Sequence, residues 1–231
     1  MAIPTTAEVQ GHLSDYSTPL SWRLFRQVGR SPAPGIKAFT SASYHANYSR
    51  VELSGGYYVL RGVRAGVTLN RSEMWVEQSV FARAGAEQDW LLRHEQGHLD
   101  ISRLIARDLC RSMLSLEIDA EVLAALRGTA GSSSQQLLAS ANAQLRDKVR
   151  ELGRKADALS NELQTTSIHG VRNDGLYDRD TRHGDFADPP SRIKQQNWNE
   201  VFRYAFANDN ALAMTMWVFN EITDEQLGRL G

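Results

Sequence analysis

His94, Glu95 and His98 stand within five positions of one another, as His94-Glu95-Gln96-Gly97-His98, and carry the strongest chemical signal in this chain. The surrounding segment, Gln88 to Arg127, reads as one long helix, with neither Gly nor Pro between Leu99 and Arg127. Residues four apart share a helix face, so both imidazoles can point at one metal ion. Glu95 follows the first of them, where its carboxylate can reach a metal-activated water and take its proton. Hydrolysis at zinc needs that set: fixed nitrogen or oxygen ligands, an open position for water and a base beside it. An amphipathic helix that carries these residues by chance is the bland reading, and the specificity of H-E-x-x-H weighs against it. The pattern predicts a zinc-dependent hydrolase, with a peptide bond as the expected substrate.

A site of this kind takes a third protein ligand. Glu117, Asp119 and Glu121 follow on the same predicted helix. At about 1.5 Å per residue, however, an unbroken helix carries Glu117 roughly 28 Å past His98. Asp100 stands about 200° around the helix from His98, facing away from it. It is expected to anchor the helix or to support the ligands from behind.

The predicted elements offer another route to the metal. A second helix is expected over about Ser133–Gln164, where Leu138, Ala141, Leu145, Val149, Leu152, Ala156, Leu159 and Leu163 recur three or four apart. Such a seam predicts an antiparallel helical hairpin over about residues 88–164, turning near Gly128–Ser132. A return helix as long as the outgoing one brings the chain level with His98 near Glu162. Residues from about Thr165 to Asp185 can then lie beside the metal: His169, His183, Asp174, Asp178, Asp180 and Asp185. Geometry alone does not choose among them. His12 and His45 have no spacing relation to the motif and are expected to be surface or structural residues.

Upstream, residues 1–35 read as irregular, broken by Pro4, Pro19, Pro32, Pro34 and Gly35. The composition then shifts toward Tyr, Val, Thr and Ser. Ile36–Ser43, Tyr44–Leu53, Tyr57–Leu69 and Glu73–Glu77 read as strands, with a hairpin turn at Gly55-Gly56. Tyr57–Leu69 or Glu73–Glu77 is expected to flank the active-site helix and to take an extended peptide as an added strand. Thr165–Pro190 reads as loop, followed by helices over Gln195–Phe206 and Ala211–Phe219. The expected fold class is α+β, a small and mostly antiparallel sheet packed on a zincin-type active-site helix, with the long antiparallel helical hairpin, in one domain over residues 1–231.

Composition narrows the function further. The 231 residues are 42% hydrophobic and 23% charged, ordinary for a soluble globular chain and closer to one domain than two. A net charge of −1 gives no electrostatic reason to expect nucleic acid or an anionic membrane as a partner. No apolar run approaches the roughly 18 residues of a membrane helix. Cys110 is the sole cysteine, which rules out an intrachain disulfide and a Cys-based zinc site; an inert buried or half-buried thiol is expected. The opening residues Met1–Thr6 lack a basic n-region and an apolar h-region, so either a cytosolic protein or a chain that starts after a removed signal is expected.

Three blocks carry a further signal, in order between about residues 18 and 200. They are Pro19-Leu20-Ser21-Trp22-Arg23-Leu24-Phe25, Leu92-Arg93-His94-Glu95-Gln96-Gly97-His98-Leu99-Asp100-Ile101 and Tyr177-Asp178-Arg179-Asp180-Thr181-Arg182-His183-Gly184. These blocks resemble the L-[ST]-W-x-x-F opening, the H-E-x-G-H-x-D-I segment and the Y-D-x-x-T-x-H-G block of a bacterial family of secreted zinc proteases known by a domain-of-unknown-function label. Gln195 and Trp198 follow at similar spacing. The resemblance implies a zincin-like metalloprotease with one Zn²⁺ ion, exported to the periplasm or secreted, acting on a peptide or protein. It favours His183 over His169 as third ligand, because His183 lies in the matching block. Asp180 stands where the family has Glu, which keeps the carboxylate and shortens its reach.

In the resulting mechanism His94, His98 and His183 hold the metal and Glu95 is the base. Tyr177 is expected to donate a hydrogen bond to the developing oxyanion. Asp178 and Asp180 are expected to orient a ligand imidazole through its second nitrogen. Two rival readings are a protein-interaction module, with the hairpin as its arm and a structural or vestigial zinc site, and a zinc hydrolase of a non-peptide amide. The intact Glu95 argues against the first, since a structural site needs no base. Cleavage of a protein substrate separates the second.

Overall fold

Short elements begin earlier than the prolines suggest. The computed structural model describes residues 4, 6–14, 19–126, 133–162 and 164. Helix α1 is Thr6–Gln10 and strand β1 is Leu13–Ser14; a 3-10 turn at Trp22–Leu24 leads to β2, Arg26–Val28. Prolines in this stretch limit the length of elements without preventing them. Then come β3 (Ala38–Phe39), β4 (Ala42–Asn47), β5 (Arg50–Ser54), β6 (Tyr57–Arg61), β7 (Arg64–Leu69) and β8 (Trp75–Glu77). A 3-10 turn at Gln78–Ala82 leads into α2, Gly85–Leu114, followed by β9 (Glu117–Asp119), α3 (Ala120–Leu126) and α4 (Ser134–Glu162). The structure is mixed α+β, with small sheets and several helices.

Among the described residues the strands form three sheets of three, in the orders β1-β7-β4, β2-β8-β3 and β5-β6-β9. The β5–β6 hairpin closes with Ser54 opposite Tyr57. Gly55 and Gly56 between them have φ of 58° and 85°. A two-residue turn whose twist matches the strands needs positive φ at both positions, which is why glycine occupies both. In each sheet the middle strand has hydrogen-bonded neighbours on both sides. The expectation that Tyr57–Leu69 or Glu73–Glu77 offers an open edge is therefore overturned, since β6, β7 and β8 are all central.

Helix α2 stops at Leu114, so the expectation of one helix from Gln88 to Arg127 is also overturned. The cause is tertiary. Strand β9 pairs antiparallel with β6, with Glu117, Ile118 and Asp119 opposite Val59, Tyr58 and Tyr57, and supplies the second edge partner that β6 needs. Local side chains then close the break. Ser115 Oγ donates to the Arg111 carbonyl at 2.9 Å, satisfying an end of α2. Asp119 Oδ1 accepts from the backbone N–H groups of Glu121 at 2.8 Å and Val122 at 3.0 Å, an N-cap for α3. Helix α4 opens with a capping box: Ser133 Oγ accepts from Gln136 N at 3.3 Å, and Gln136 Oε1 accepts from Ser133 N at 3.1 Å.

The chain gathers into two compact units. The first takes Met1–Ser14, His45–Gly66 and Ala106–Ala158. Its core joins Val51, Tyr58, Leu60 and Ala65 of the strands, and Val63 between β6 and β7, to Cys110 and Met113 of α2, Leu123 of α3, and Ala141 and Leu145 of α4. Leu138, Val149 and Leu152 pack against the same core, so this part of the predicted seam faces inward. His12 is structural here, its Nδ1 lying 2.9 Å from the Val63 carbonyl oxygen. Burial pushes the Cys110 thiol up to about 11, so it stays protonated and inert.

The second unit takes Asp15–Tyr44, Val67–Ile105 and Leu159–Gly231. In sheet β2-β8-β3, β2 runs parallel to β8 and β3 antiparallel to it. Trp22 packs edge-on against Phe25 and Phe81, at centroid distances of 5.2 and 6.0 Å, and Phe39 stacks on Trp75. The α2 residues Trp90, Leu91, Leu99, Ile101, Leu104 and Ile105 are buried. Among the described residues no helix is long and apolar enough to cross a membrane.

Candidate functional site

The first half of α2 presents Trp90, His94 and His98 at intervals of four. The Trp90 and His94 rings lie 5.9 Å apart between centroids, and the His94 and His98 rings 5.1 Å apart at an interplanar angle of 80°. Helical spacing alone produces this succession of rings along one face. His94 is fully buried and His98 half-buried. Two imidazoles one turn apart can converge on one ion, and nitrogen with carboxylate oxygen is a donor set that suits zinc.

Glu95 is also fully buried. Burial raises its pKa from 4.5 to about 7, while the neighbouring Thr40 pulls it back down. Thr40 directly follows β3, so the end of an edge strand meets the candidate base. A carboxylate poised near neutrality accepts and returns a proton at little cost in either direction.

A polar chain fixes the neighbouring face of α2. Gln96 Oε1 accepts from Leu20 N at 2.8 Å, and Gln96 Nε2 donates to Asp100 Oδ1 at 2.7 Å. Arg103 Nη1 donates to the same oxygen at 3.2 Å. Asp100 thus joins Gln96 and Arg103, and the Pro19–Phe25 block is tied to the H-E-x-x-H turn through Leu20. Burial raises the Asp100 pKa, against the pull of Gln96 and Arg103.

Gln164 meets His98. His98 Nδ1 lies 2.5 Å from Gln164 Oε1, and Gln164 Nε2 donates to the His98 carbonyl oxygen at 3.2 Å. Sequence reasoning missed Gln164, Gln96 and Thr40. The four-residue spacing of Gln96 and Asp100 was a usable signal for one of them. Thr40 and Gln164 reach the site only through tertiary structure.

His183, Tyr177, Asp178 and Asp180, with the alternatives His169, Asp174 and Asp185, lie outside the described residues. Among the described residues no group of three or more His, Cys, Asp or Glu side chains stands ready to hold a metal ion. The break after Leu114 reopens Glu117 and Glu121 as candidates, yet no such group gathers them. Glu117 is held in β9, and the Glu121 backbone in the Asp119 cap. No family model, curated protein or solved structure matches the chain, so its own residues carry the functional reading.

Proposed function

We propose that the protein is a zinc-dependent metallopeptidase of the H-E-x-x-H type. The observation that carries this reading is the pair of imidazoles at 5.1 Å on one face of α2, with the fully buried Glu95 between them in sequence. His94 and His98 would hold the ion, with His183 as third ligand. A bound zinc ion supplies Lewis acidity, polarising a carbonyl and lowering the pKa of a water. Glu95 accepts a proton from the attacking water on a carboxylate oxygen as the new C–O bond forms. It then delivers that proton to the amine nitrogen as the C–N bond breaks. Tyr177 donates its hydroxyl hydrogen toward the oxyanion, and Asp178 and Asp180 accept from the second nitrogen of a ligand imidazole.

Strand β3 is the place for an extended peptide in this reading. Among the described residues it is an edge of sheet β2-β8-β3, and Thr40, directly after it, acts on the Glu95 carboxyl. A peptide added there would pass close to the base. The matching fold reading is a zincin-like α2 with α4 returning antiparallel to it. In support, Ala141 and Leu145 share a core with Cys110 and Met113, while Gln164, later in the chain, meets His98, earlier in α2.

The test is metal analysis with a peptide-library cleavage assay on wild type and Glu95→Gln. About one zinc per chain is expected in both proteins, with activity lowered by at least about 100-fold in the variant. Turnover in Glu95→Gln near the wild-type rate removes Glu95 as the base, and wild type without zinc removes the metal centre.

A further inference from the structure

We infer that Gln164 is a positioning residue that holds His98 in the tautomer protonated on Nδ1, so that Nε2 carries the lone pair offered to a metal ion. The inference rests on the zinc reading above for its purpose, and on two contacts for its geometry. The His98 carbonyl oxygen can only accept, so the carboxamide atom 3.2 Å from it must be the NH₂ nitrogen. That fixes the amide orientation and turns Oε1 toward His98 Nδ1, 2.5 Å away. Oε1 has no hydrogen to give, so Nδ1 must be the donor. A neutral imidazole has one N–H, and with it on Nδ1 the lone pair sits on Nε2.

The two bonds also clamp the ring against rotation, since one grips the side chain and the other the backbone of the same residue. His98 is half-buried, and unlike His94 it is not enclosed by the core, so packing leaves its orientation less determined. Gln164 lies just beyond the end of α4, and its carboxamide constrains the exposed side of His98. The amide does this without adding charge. A carboxylate in the same place would accept the same bond while lowering the net positive charge of the site.

The experiment uses the full chain as wild type, Gln164→Ala and Gln164→Glu. Zinc affinity is read by chelator competition, and the His98 tautomer of the metal-free protein by its ring ¹⁵N shifts. Wild type should show the Nδ1–H form. Gln164→Ala should mix the two tautomers and weaken zinc binding about 10- to 100-fold, the usual cost of losing a residue that orients a ligand. Gln164→Glu, which keeps an acceptor oxygen, should retain both the tautomer and most of the affinity. An Nε2–H form in metal-free wild type overturns the inference, as does Gln164→Ala with unchanged tautomer and affinity. Equal losses in both variants overturn it too, because the acceptor would then not matter. Wild type that keeps the Nδ1–H form but takes no zinc overturns the metal-centre reading and leaves the hold of Gln164 on His98 standing.

Discussion

Replacing Glu95 by Gln should stabilise the metal-free protein, increasingly so as the pH rises. The carboxyl is fully buried, and burial lifts its pKa from 4.5 to about 7 against the opposing pull of Thr40. Because the folded value is raised, the neutral acid contributes stability that is fully present below about pH 4.5 and is lost as the pH rises through about 7. Within that window the unfolded chain has given up its proton and the folded chain still holds it. At about 1.36 kcal/mol per pH unit, the whole window amounts to about 3 kcal/mol. About 2 kcal/mol of it falls between about pH 5 and about pH 8. Gln is close in shape and neutral throughout, so it escapes this loss. Any packing cost of the amide is the same at every pH and cancels from the trend. Urea unfolding of both proteins in chelator, across about pH 5 to pH 8, measures the difference directly. A difference that stays flat, or that grows toward acid, would show that Glu95 ionises as an exposed carboxylate does. Helix α2 would then not hold Glu95 in a dry environment.

Thr40→Val removes a polar neighbour that lowers the Glu95 pKa, so the same titration should reach its midpoint at a higher pH in that variant. His94→Ala and His98→Ala should each abolish co-purified zinc, measured as metal per chain, because an incomplete shell gives up the chelate. His183→Ala should lose both zinc and activity while His169→Ala keeps them; the opposite result would transfer the third-ligand role to His169. Leu145→Ala, a truncation at a fully buried position in the core of the first unit, should cost about 2–5 kcal/mol in denaturant unfolding, and a much smaller loss would place that seam at a surface.

The placing of His94 and His98 on one helix face was legible in the sequence because it is local. H-E-x-x-H on a helix puts two imidazoles on one face by the 3.6-residue period alone, and the 5.1 Å ring spacing follows from that. Gly55-Gly56 was legible for the same reason, since a two-residue hairpin turn constrains φ at those positions. The α4 start near Ser133 was equally local, fixed by a cap four residues long. Tertiary structure decided where α2 ends. Residues 115–127 contain no helix breaker until Gly128, and the pairing of Glu117–Asp119 with β6 outweighs a helical preference worth only tenths of a kcal/mol per residue. It also decided which strands are central, because a hydrophobic pattern marks a strand's faces and says nothing of its edges. The same is true of the environment of Glu95 and His98. Thr40 lies 55 positions before Glu95 and Gln164 lies 66 positions after His98. The sequence names His94, Glu95 and His98; only the folded chain buries Glu95 beside Thr40 and brings the Gln164 amide to His98.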